Sequence, residues 1–251
     1  NACFFHGVSP FDGATGKAAG SDKKGPPSFN EVFADCLSEL ADRDPRVVAI
    51  TAAMADGTGL VRFQERHPDR VFDAGIAQAH GVCYAAGLAT QAIKPVAAIY
   101  STFLQRAYDQ IIHDVGVQSL PVVFCLDRAG LVGADGPTHH GVFDFTYLRA
   151  VPNFIVSAPK DGDELKDLLT TALDQRDRPF AIRYPKTPCG RLTQGRDGKL
   201  LTIGSWEVLR EGEKICLLAV GTMVESSEKA AAILESGGRR VGVVNCRFVE
   251  A

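Results

Sequence analysis

The sequence lacks the features that mark membrane, disulfide-stabilised and nucleic-acid-binding proteins. No apolar run reaches the roughly 18 to 20 residues of a membrane-spanning helix, and no signal peptide opens the chain. The seven cysteines are an odd number without a C-x-x-C pair, which indicates reduced, buried thiols rather than a disulfide framework or a zinc site. A net charge of −3 provides no overall basic field for nucleic acid. We therefore expect a soluble, cytoplasmic protein that binds neither nucleic acid nor membrane.

Strand and helix patterns alternate through the central part of the chain. Residues 1–27 are rich in Gly, Pro and small polar residues and predict a linker. A capping-box pattern at Ser28 and Glu31 then begins an amphipathic helix. Short apolar strands and helices follow, with strands predicted at 47–51, 71–73, 96–100, 122–127, 154–158 and 180–184 and helices at 60–67, 78–91, 103–115 and 161–175. This alternation predicts an α/β fold with a doubly wound parallel sheet over residues 28–190.

A second unit is predicted over residues 204–251. The segments 214–220, 224–234 and 240–248 form one β-α-β pattern, the start of a second α/β domain. Two strands cannot easily bury both sheet faces, so we expect either that the chain continues or that a partner covers them. The sequence also begins at Asn1 rather than Met and stops after a strand-like run, so we expect a processed, cleaved or incompletely represented polypeptide.

Aromatic and cationic side chains lie at the predicted strand ends, where α/β sheets bind ligands. Tyr100 and Phe103 would offer an aromatic face to a planar heterocycle, although both are also common core residues. Arg106, one turn further, is otherwise a solvated helix charge. Arg128 and Arg183 follow two apolar strands, and their planar donors suit a phosphate. The alternative for each of these two arginines is an ion pair with a neighbouring Asp.

A glycine-rich loop carries two further candidates. Asp135 and His139 lie in the motif Gly133-Ala-Asp-Gly-Pro-Thr-His-His-Gly141, whose composition permits close approach to a ligand. His139 can exchange protons near neutral pH, and Asp135 can orient a hydroxyl or an imidazole. The neighbouring His140 does not indicate a metal site, because adjacent side chains diverge and no further cluster has ligand spacing.

Three motifs together resemble the 1-deoxy-D-xylulose-5-phosphate synthase family of the transketolase superfamily. They are Tyr100-Ser-Thr-Phe-Leu-Gln-Arg-Ala-Tyr-Asp-Gln110, Asp127-Arg-Ala-Gly130 and the loop of residues 133–141. The resemblance implies a homodimeric transferase that uses thiamine diphosphate and Mg²⁺. Its reaction decarboxylates pyruvate and transfers two carbons to glyceraldehyde 3-phosphate, a step toward isoprenoid, thiamine and pyridoxal precursors.

The resemblance also implies roles for individual residues. Tyr100, Phe103 and Arg106 match the residues that surround the aminopyrimidine ring of the cofactor. Arg128 and Arg183 match those that hold the phosphate of the acceptor aldehyde. The remaining matches handle substrate protons and hydroxyls, and they are His6 in the linker, His80, Asp135 and His139.

Two departures from the family pattern weigh on the predicted activity. Gln78 stands where the family has the glutamate that contacts N1′ of the aminopyrimidine, and an amide cannot ionise. The Gly-Asp-Gly segment and following Asn that bind the diphosphate and Mg²⁺ are absent from this sequence, so we expect them on a missing segment or a companion chain. The alternative is therefore a catalytically impaired homologue that acts as a binding or regulatory subunit. A nucleotide-binding domain is disfavoured, because no Gly-rich phosphate loop follows a strand.

Overall fold

The computed structural model describes residues 11–17 and 25–251. Its helices are α1 (Phe29–Arg43), α2 (Leu60–Arg66), α3 (Gln78–Ala89), α4 (Ser101–Leu104), α5 (Tyr108–Gln110), α6 (Asp144–Leu148), α7 (Gly162–Asp174) and α8 (Met223–Ser236). Its strands are β1 (Val47–Thr51), β2 (Val71–Asp73), β3 (Lys94–Tyr100), β4 (Val123–Asp127), β5 (Ile155–Ser157), β6 (Phe180–Arg183), β7 (Glu207–Arg210), β8 (Ile215–Ala219), β9 (Val241–Asn245) and β10 (Phe248–Glu250). Among these residues no helix is both long and apolar enough to cross a membrane.

Seven strands form the main sheet, in the order β10-β5-β6-β4-β3-β1-β2. All neighbours pair in parallel except β10, which runs antiparallel to β5 at the edge. The central strands are buried on both faces, as their continuous apolar runs predict. One hydrophobic cluster packs under α1, α2 and α7, and the other packs under α3 and the helical segment 101–116. The parallel, doubly wound α/β prediction is confirmed.

The structure confirms most of the predicted elements of the main sheet. Ser28 is the N-cap residue of α1, and its backbone N–H donates to Oε2 of Glu31 at 2.8 Å. Asp161 caps α7 by accepting a hydrogen bond from the N–H of Glu164 at 2.8 Å. The strands at 71–73 and 123–127 and the helix that begins at residue 78 lie where the alternation of patterns placed them.

The regular helix predicted over residues 103–115 is wrong. The segment consists of α4, a 3₁₀ turn at Gln105–Ala107, α5 and a π-helix at Ile111–Gly116. The π-helix continues with wide i to i+5 hydrogen bonds, in which the N–H groups of Val117 and Leu120 donate to the carbonyls of Ile112 and Val115. Apolar spacing does not distinguish these turns from an α-helix, since all of them bury one face. Breaks of this kind are frequent at functional sites.

The second unit differs from its prediction in two ways. A third strand, β7, pairs antiparallel with β9, so the small sheet has the order β7-β9-β8 rather than two strands. The strand predicted over 240–248 is two strands, because the chain leaves β9 at Asn245 and joins the main sheet as β10. Asn245 is buried at this crossing, and its side-chain amide donates to Oε1 of the buried Glu164 at 2.7 Å.

The cysteine prediction holds in part. The six described cysteines are all free thiols, and four of them are buried. Cys83 and Cys216 are exposed, so the expectation of uniformly buried thiols is wrong for these two. Cys3 lies outside the described residues.

Candidate active site

The carboxyl ends of β3, β4 and β6 bring an aromatic pair and two arginines to one edge of the main sheet. Tyr100 ends β3 opposite Asp127 of β4, and Leu126 lies opposite Arg183 of β6. Ligands in parallel α/β proteins bind at this edge, because the loops that follow the strands converge there.

Aromatic rings and cations form a continuous series of contacts at this edge. The rings of Tyr100 and Phe103 stack with centroids 5.5 Å apart and planes at 17°. His139 approaches the edge of Phe103 at 5.2 Å, and the guanidinium of Arg106 lies 5.2 Å from the same ring. Arg128 covers the other side of the cluster, with its guanidinium carbon 4.0 Å from the centre of the Tyr100 ring. The structure therefore brings together Tyr100, Phe103 and Arg106, the three residues that the family resemblance places around the aminopyrimidine ring.

Gly57 makes the close packing of Tyr100 possible. A Cβ atom at Gly57 would lie 1.8 Å from the Tyr100 hydroxyl oxygen, so only glycine fits there without movement. The Gly57 carbonyl accepts hydrogen bonds from the Arg128 guanidinium and, at 3.0 Å, from the amide of Asn30. Burial raises the pKa of the Tyr100 hydroxyl well above its ordinary value, so the group stays a neutral phenol. This contact was not predicted, because Gly57 lies in a loop without a recognisable motif.

Arg128 is buried and held by a carboxylate next to it in sequence. Its guanidinium bonds to Oδ2 of Asp127, while its backbone N–H donates to Oδ1 of Asp127 at 2.6 Å. The backbone of Arg128 is left-handed, with φ +58°, a conformation that is uncommon for residues other than glycine. Burial raises the pKa of Asp127 to about 6, and the positive charge of Arg128 opposes this rise. Arg128 Nε is buried and finds no hydrogen-bond partner in the described part of the chain.

Arg183 is also paired with a carboxylate. Its Nε donates to Oδ2 of Asp144 at 3.0 Å, and its Nη2 donates to the carbonyl of Gly141 at 3.3 Å. Asp144, at the start of α6, is fully buried and also accepts a hydrogen bond from the Ser101 hydroxyl at 2.9 Å. Both arginines thus make the ion pairs that the sequence left as the alternative to phosphate binding, and their role toward a phosphate stays a prediction.

The glycine-rich loop places Asp135 between Arg128, which follows β4, and Lys186, which follows β6. Asp135 Oδ2 lies 3.8 Å from Arg128 Nε, and its two carboxylate oxygens accept hydrogen bonds from Lys186 Nζ at 2.7 and 3.0 Å. The hydrogen bond from Lys186 is the main cause that lowers the pKa of Asp135. Lys186, just after β6, was not singled out from the sequence. Its only signal there was its position three residues after Arg183.

The two adjacent histidines diverge, as the sequence predicted. His139 turns toward Phe103, whereas Nδ1 of His140 accepts a hydrogen bond from the backbone N–H of Val132 at 3.2 Å. Residues 11–17 and 25–251 contain no group of three or more His, Cys, Asp or Glu side chains that could hold a metal ion.

Gln78 begins α3 as a buried side chain. Its side chain is 5% exposed and makes no hydrogen bond with the residues that the structure describes. Asp73 does not replace its missing charge, because Oδ1 of Asp73 accepts from the N–H groups of Ala53 and Gly75 at 2.7 and 2.9 Å. His80, two residues further on, is exposed, with its ring 6.3 Å from that of Tyr84. Among the described residues no hydrogen bond or ring–ring contact joins Gln78 or His80 to the Tyr100–Phe103 pair, and His6 lies outside the described residues.

Family models match most of the chain. The model described as "Transketolase, pyrimidine binding domain" matches residues 26–190, and the one described as "Transketolase, C-terminal domain" matches residues 204–251. Among curated proteins, the chain is 55% identical over its full length to the 1-deoxy-D-xylulose-5-phosphate synthase of Aquifex aeolicus and 52% identical to that of Gloeobacter violaceus. It spans 39% of the length of each of these relatives.

Solved structures agree with this relationship. A protein described as a split-gene transketolase, in an inactive β4 tetramer, superposes with a TM-score of 0.77 at 27% identity. That match covers 89% of this chain and 72% of the split-gene protein. A transketolase from Pichia stipitis also superposes with a TM-score of 0.77, at 19% identity over 90% of this chain and 36% of the Pichia stipitis protein, which supports the fold alone.

Proposed function

Because this chain belongs to the family of transketolase pyrimidine-binding domains, we propose that it forms half of a 1-deoxy-D-xylulose-5-phosphate synthase active site. This half would bind the aminopyrimidine ring of the cofactor and the acceptor aldehyde. The observation that carries the proposal is the contact series of Tyr100, Phe103 and Arg128 at the carboxyl edge of the sheet. The names of the relatives matched over the full length of the chain favour this synthase over other members of the superfamily.

The residues present fit one part of thiamine diphosphate. In this family the cofactor supplies the carbon nucleophile that adds to the substrate keto group. The half-buried ring of Phe103, with Arg106 and His139 beside it, offers a stacking surface for the aminopyrimidine. Gln78 is a buried residue whose side-chain amide makes no hydrogen bond with the described residues, so the amide is free to bond a ring nitrogen. The proposal takes the diphosphate and Mg²⁺ ligands from another segment or a companion chain, an arrangement that the split-gene transketolase supports.

The cationic part of the site suits the phosphate of an acceptor aldehyde. Arg128 directly follows β4 and Arg183 ends the neighbouring strand β6, and both offer planar donors at this edge. We assign them to the phosphate of glyceraldehyde 3-phosphate. Asp135 and His139, across the same edge, then lie where they can accept a proton from an acceptor hydroxyl or donate one to its carbonyl. His80 and the linker residue His6 keep their proposed roles toward substrate protons.

A non-catalytic homologue with a binding or regulatory role is the second candidate. The observation that favours it is Gln78, which is buried where the family has its activating carboxylate. The nearest carboxylate in sequence, Asp73, is engaged by two backbone N–H groups. In this case the chain keeps its subunit contacts and loses turnover.

Carbon dioxide release from pyruvate tests the proposal. The chain is assayed with thiamine diphosphate, Mg²⁺ and the remaining portion of the Aquifex aeolicus relative, with and without glyceraldehyde 3-phosphate. We expect release that depends on the aldehyde and that falls in Arg183→Met. The matched control Arg149→Met, which removes an exposed arginine paired with Glu250, should behave as wild type. Intact subunit assembly without aldehyde-dependent release would favour the regulatory candidate.

A further inference from the structure

Three cations at the carboxyl edge of the main sheet each have a carboxylate as their nearest ionic partner. Arg128 pairs with Asp127, and Arg183 pairs with Asp144. The third pair joins Lys186 and Asp135. The three pairs have no net charge, so in this arrangement the edge offers little attraction to a phosphate dianion. Movement of one carboxylate away from this edge would leave a net positive charge that attracts a phosphate.

Burial identifies the pair that can separate. The side chains of Arg128 and Asp127 are 8% and 1% exposed, and those of Arg183 and Asp144 are 17% and 0% exposed. Separating such a pair leaves a desolvated charge without a partner, which is strongly unfavourable. Lys186 and Asp135 are 45% and 21% exposed, and exposed ion pairs contribute little to stability.

Asp135 also lies close to two glycines, whose backbone has more conformational freedom than that of other residues. Gly133 is two residues before Asp135 and Gly136 directly follows it; both have positive φ, and there is open space around each of them. Asp135 lies between two cationic groups, since it bonds Lys186 Nζ and approaches the buried, unpartnered Nε of Arg128 at 3.8 Å. A carboxylate between two cationic donors occupies the kind of position that a bound phosphate takes.

We propose that Lys186 is a third phosphate-binding cation of the acceptor site, and that Asp135 is an internal anion that a phosphate monoester displaces from it. The inference rests on the proposed function, because it extends the acceptor site assigned to Arg128 and Arg183. Displacement gives the phosphate a third cationic donor and leaves Arg128 Nε available to it. It also releases the Asp135 carboxylate to accept a hydrogen bond from a hydroxyl of the same substrate.

Binding of glycerol 3-phosphate, a phosphate monoester that cannot react, tests the inference by titration calorimetry on the 251-residue chain at fixed ionic strength. Lys186→Ala should weaken binding about tenfold, roughly the loss of one charge-assisted hydrogen bond, and Lys186→Arg should retain most of it. Asp135→Asn should tighten binding by a similar factor, because it removes the competing anion. The matched control Lys229→Ala deletes an exposed lysine paired with Glu225 and should leave the affinity unchanged.

The outcomes separate this inference from the proposed function. If wild type does not bind the ester, both are overturned. If binding is lost in Arg183→Met but is unchanged in Lys186→Ala, the acceptor site stands and the role of Lys186 is refuted. Weaker binding in Asp135→Asn would show that the carboxylate supports the ligand rather than competes with it, and would overturn the displacement. Thermal unfolding of each variant shows whether the chain stays folded when Lys186 or Asp135 is replaced.

Discussion

Replacing Gln78 by glutamate introduces the carboxylate that this site lacks in a side chain of nearly the same shape. Gln78 is 5% exposed, so the ionised side chain is desolvated, at a cost of about 1–3 kcal/mol. The first turn of α3 contains no acidic residue, and an anion at a helix N-terminus returns about 0.3–1 kcal/mol. We therefore expect Gln78→Glu to lower the free energy of unfolding by roughly 1–2 kcal/mol at neutral pH.

The pH dependence of this loss has a defined sign. Burial raises the pKa of the new glutamate in the folded state above its value of about 4.3 in the unfolded chain. Below pH ~4 both states are protonated, and the variant should be as stable as wild type. As the pH rises above that value, the unfolded state ionises first, so the stability of the variant should fall relative to wild type. Chemical denaturation at several pH values measures the difference.

Activity should change in the opposite direction to stability. An acid or base in the correct position typically contributes about 10²- to 10⁴-fold in rate, so aldehyde-dependent carbon dioxide release should rise by a factor in that range. Gln91→Glu, at an exposed glutamine beyond the end of the same helix, is the matched control and should change nothing. A folded Gln78→Glu protein that binds thiamine diphosphate but shows no gain in rate would refute the assignment of residue 78.

Three further predictions follow from the contacts at the sheet edge. In a fluorescence titration, Phe103→Ala should weaken thiamine diphosphate binding about tenfold, because a ring contact of about 1.4 kcal/mol is lost. The control Phe143→Ala removes an exposed ring and should bind the cofactor like wild type. Gly57→Ala should lower the free energy of unfolding by about 1–3 kcal/mol, since its Cβ would collide with the Tyr100 hydroxyl. The control Gly87→Ala adds a Cβ in open space on α3 and should not lower the free energy of unfolding. Equal denaturation midpoints for the two variants would contradict the packing of Gly57 against Tyr100. Burial raises the pKa of Asp127 to about 6, above its value in the unfolded chain. As the pH rises from about 4 to about 6, wild type should therefore lose stability relative to Asp127→Asn, with a slope of at most about 1.4 kcal/mol per pH unit. Parallel stability curves for the two proteins over that pH range would show that the pKa shift is absent.

The sequence could predict the main sheet because each strand combines an apolar run with a chemically distinct end. Val123–Asp127 is such a run, and the register of its neighbours follows from parallel pairing. The break in the helix over 101–116 could not be predicted in the same way, since 3₁₀, α and π turns bury the same apolar face. Nor could the route of Phe248–Glu250 into the main sheet, because a three-residue strand has too short a pattern to specify its partner.

The candidate site was predictable where a residue type alone suggests chemistry. Tyr100, Phe103 and Arg128 lie in contact as their positions at strand ends suggested. An ion pair of Arg128 with its neighbour Asp127 was among the alternatives, whereas Asp144 was not identified as the partner of Arg183, because it lies 39 residues before that arginine in sequence. Gly57 and Lys186 were missed for the same reason, since a contact between distant loops leaves no periodic signal.

A crystal structure of the chain with thiamine diphosphate and glycerol 3-phosphate would locate both ligands in the proposed site. We expect the aminopyrimidine to lie against the ring of Phe103 and within hydrogen-bond distance of the Gln78 amide. We expect the phosphate to lie between the guanidinium groups of Arg128 and Arg183. A pyrimidine ring bound away from Phe103, or a phosphate bound away from both arginines, would refute the proposed site.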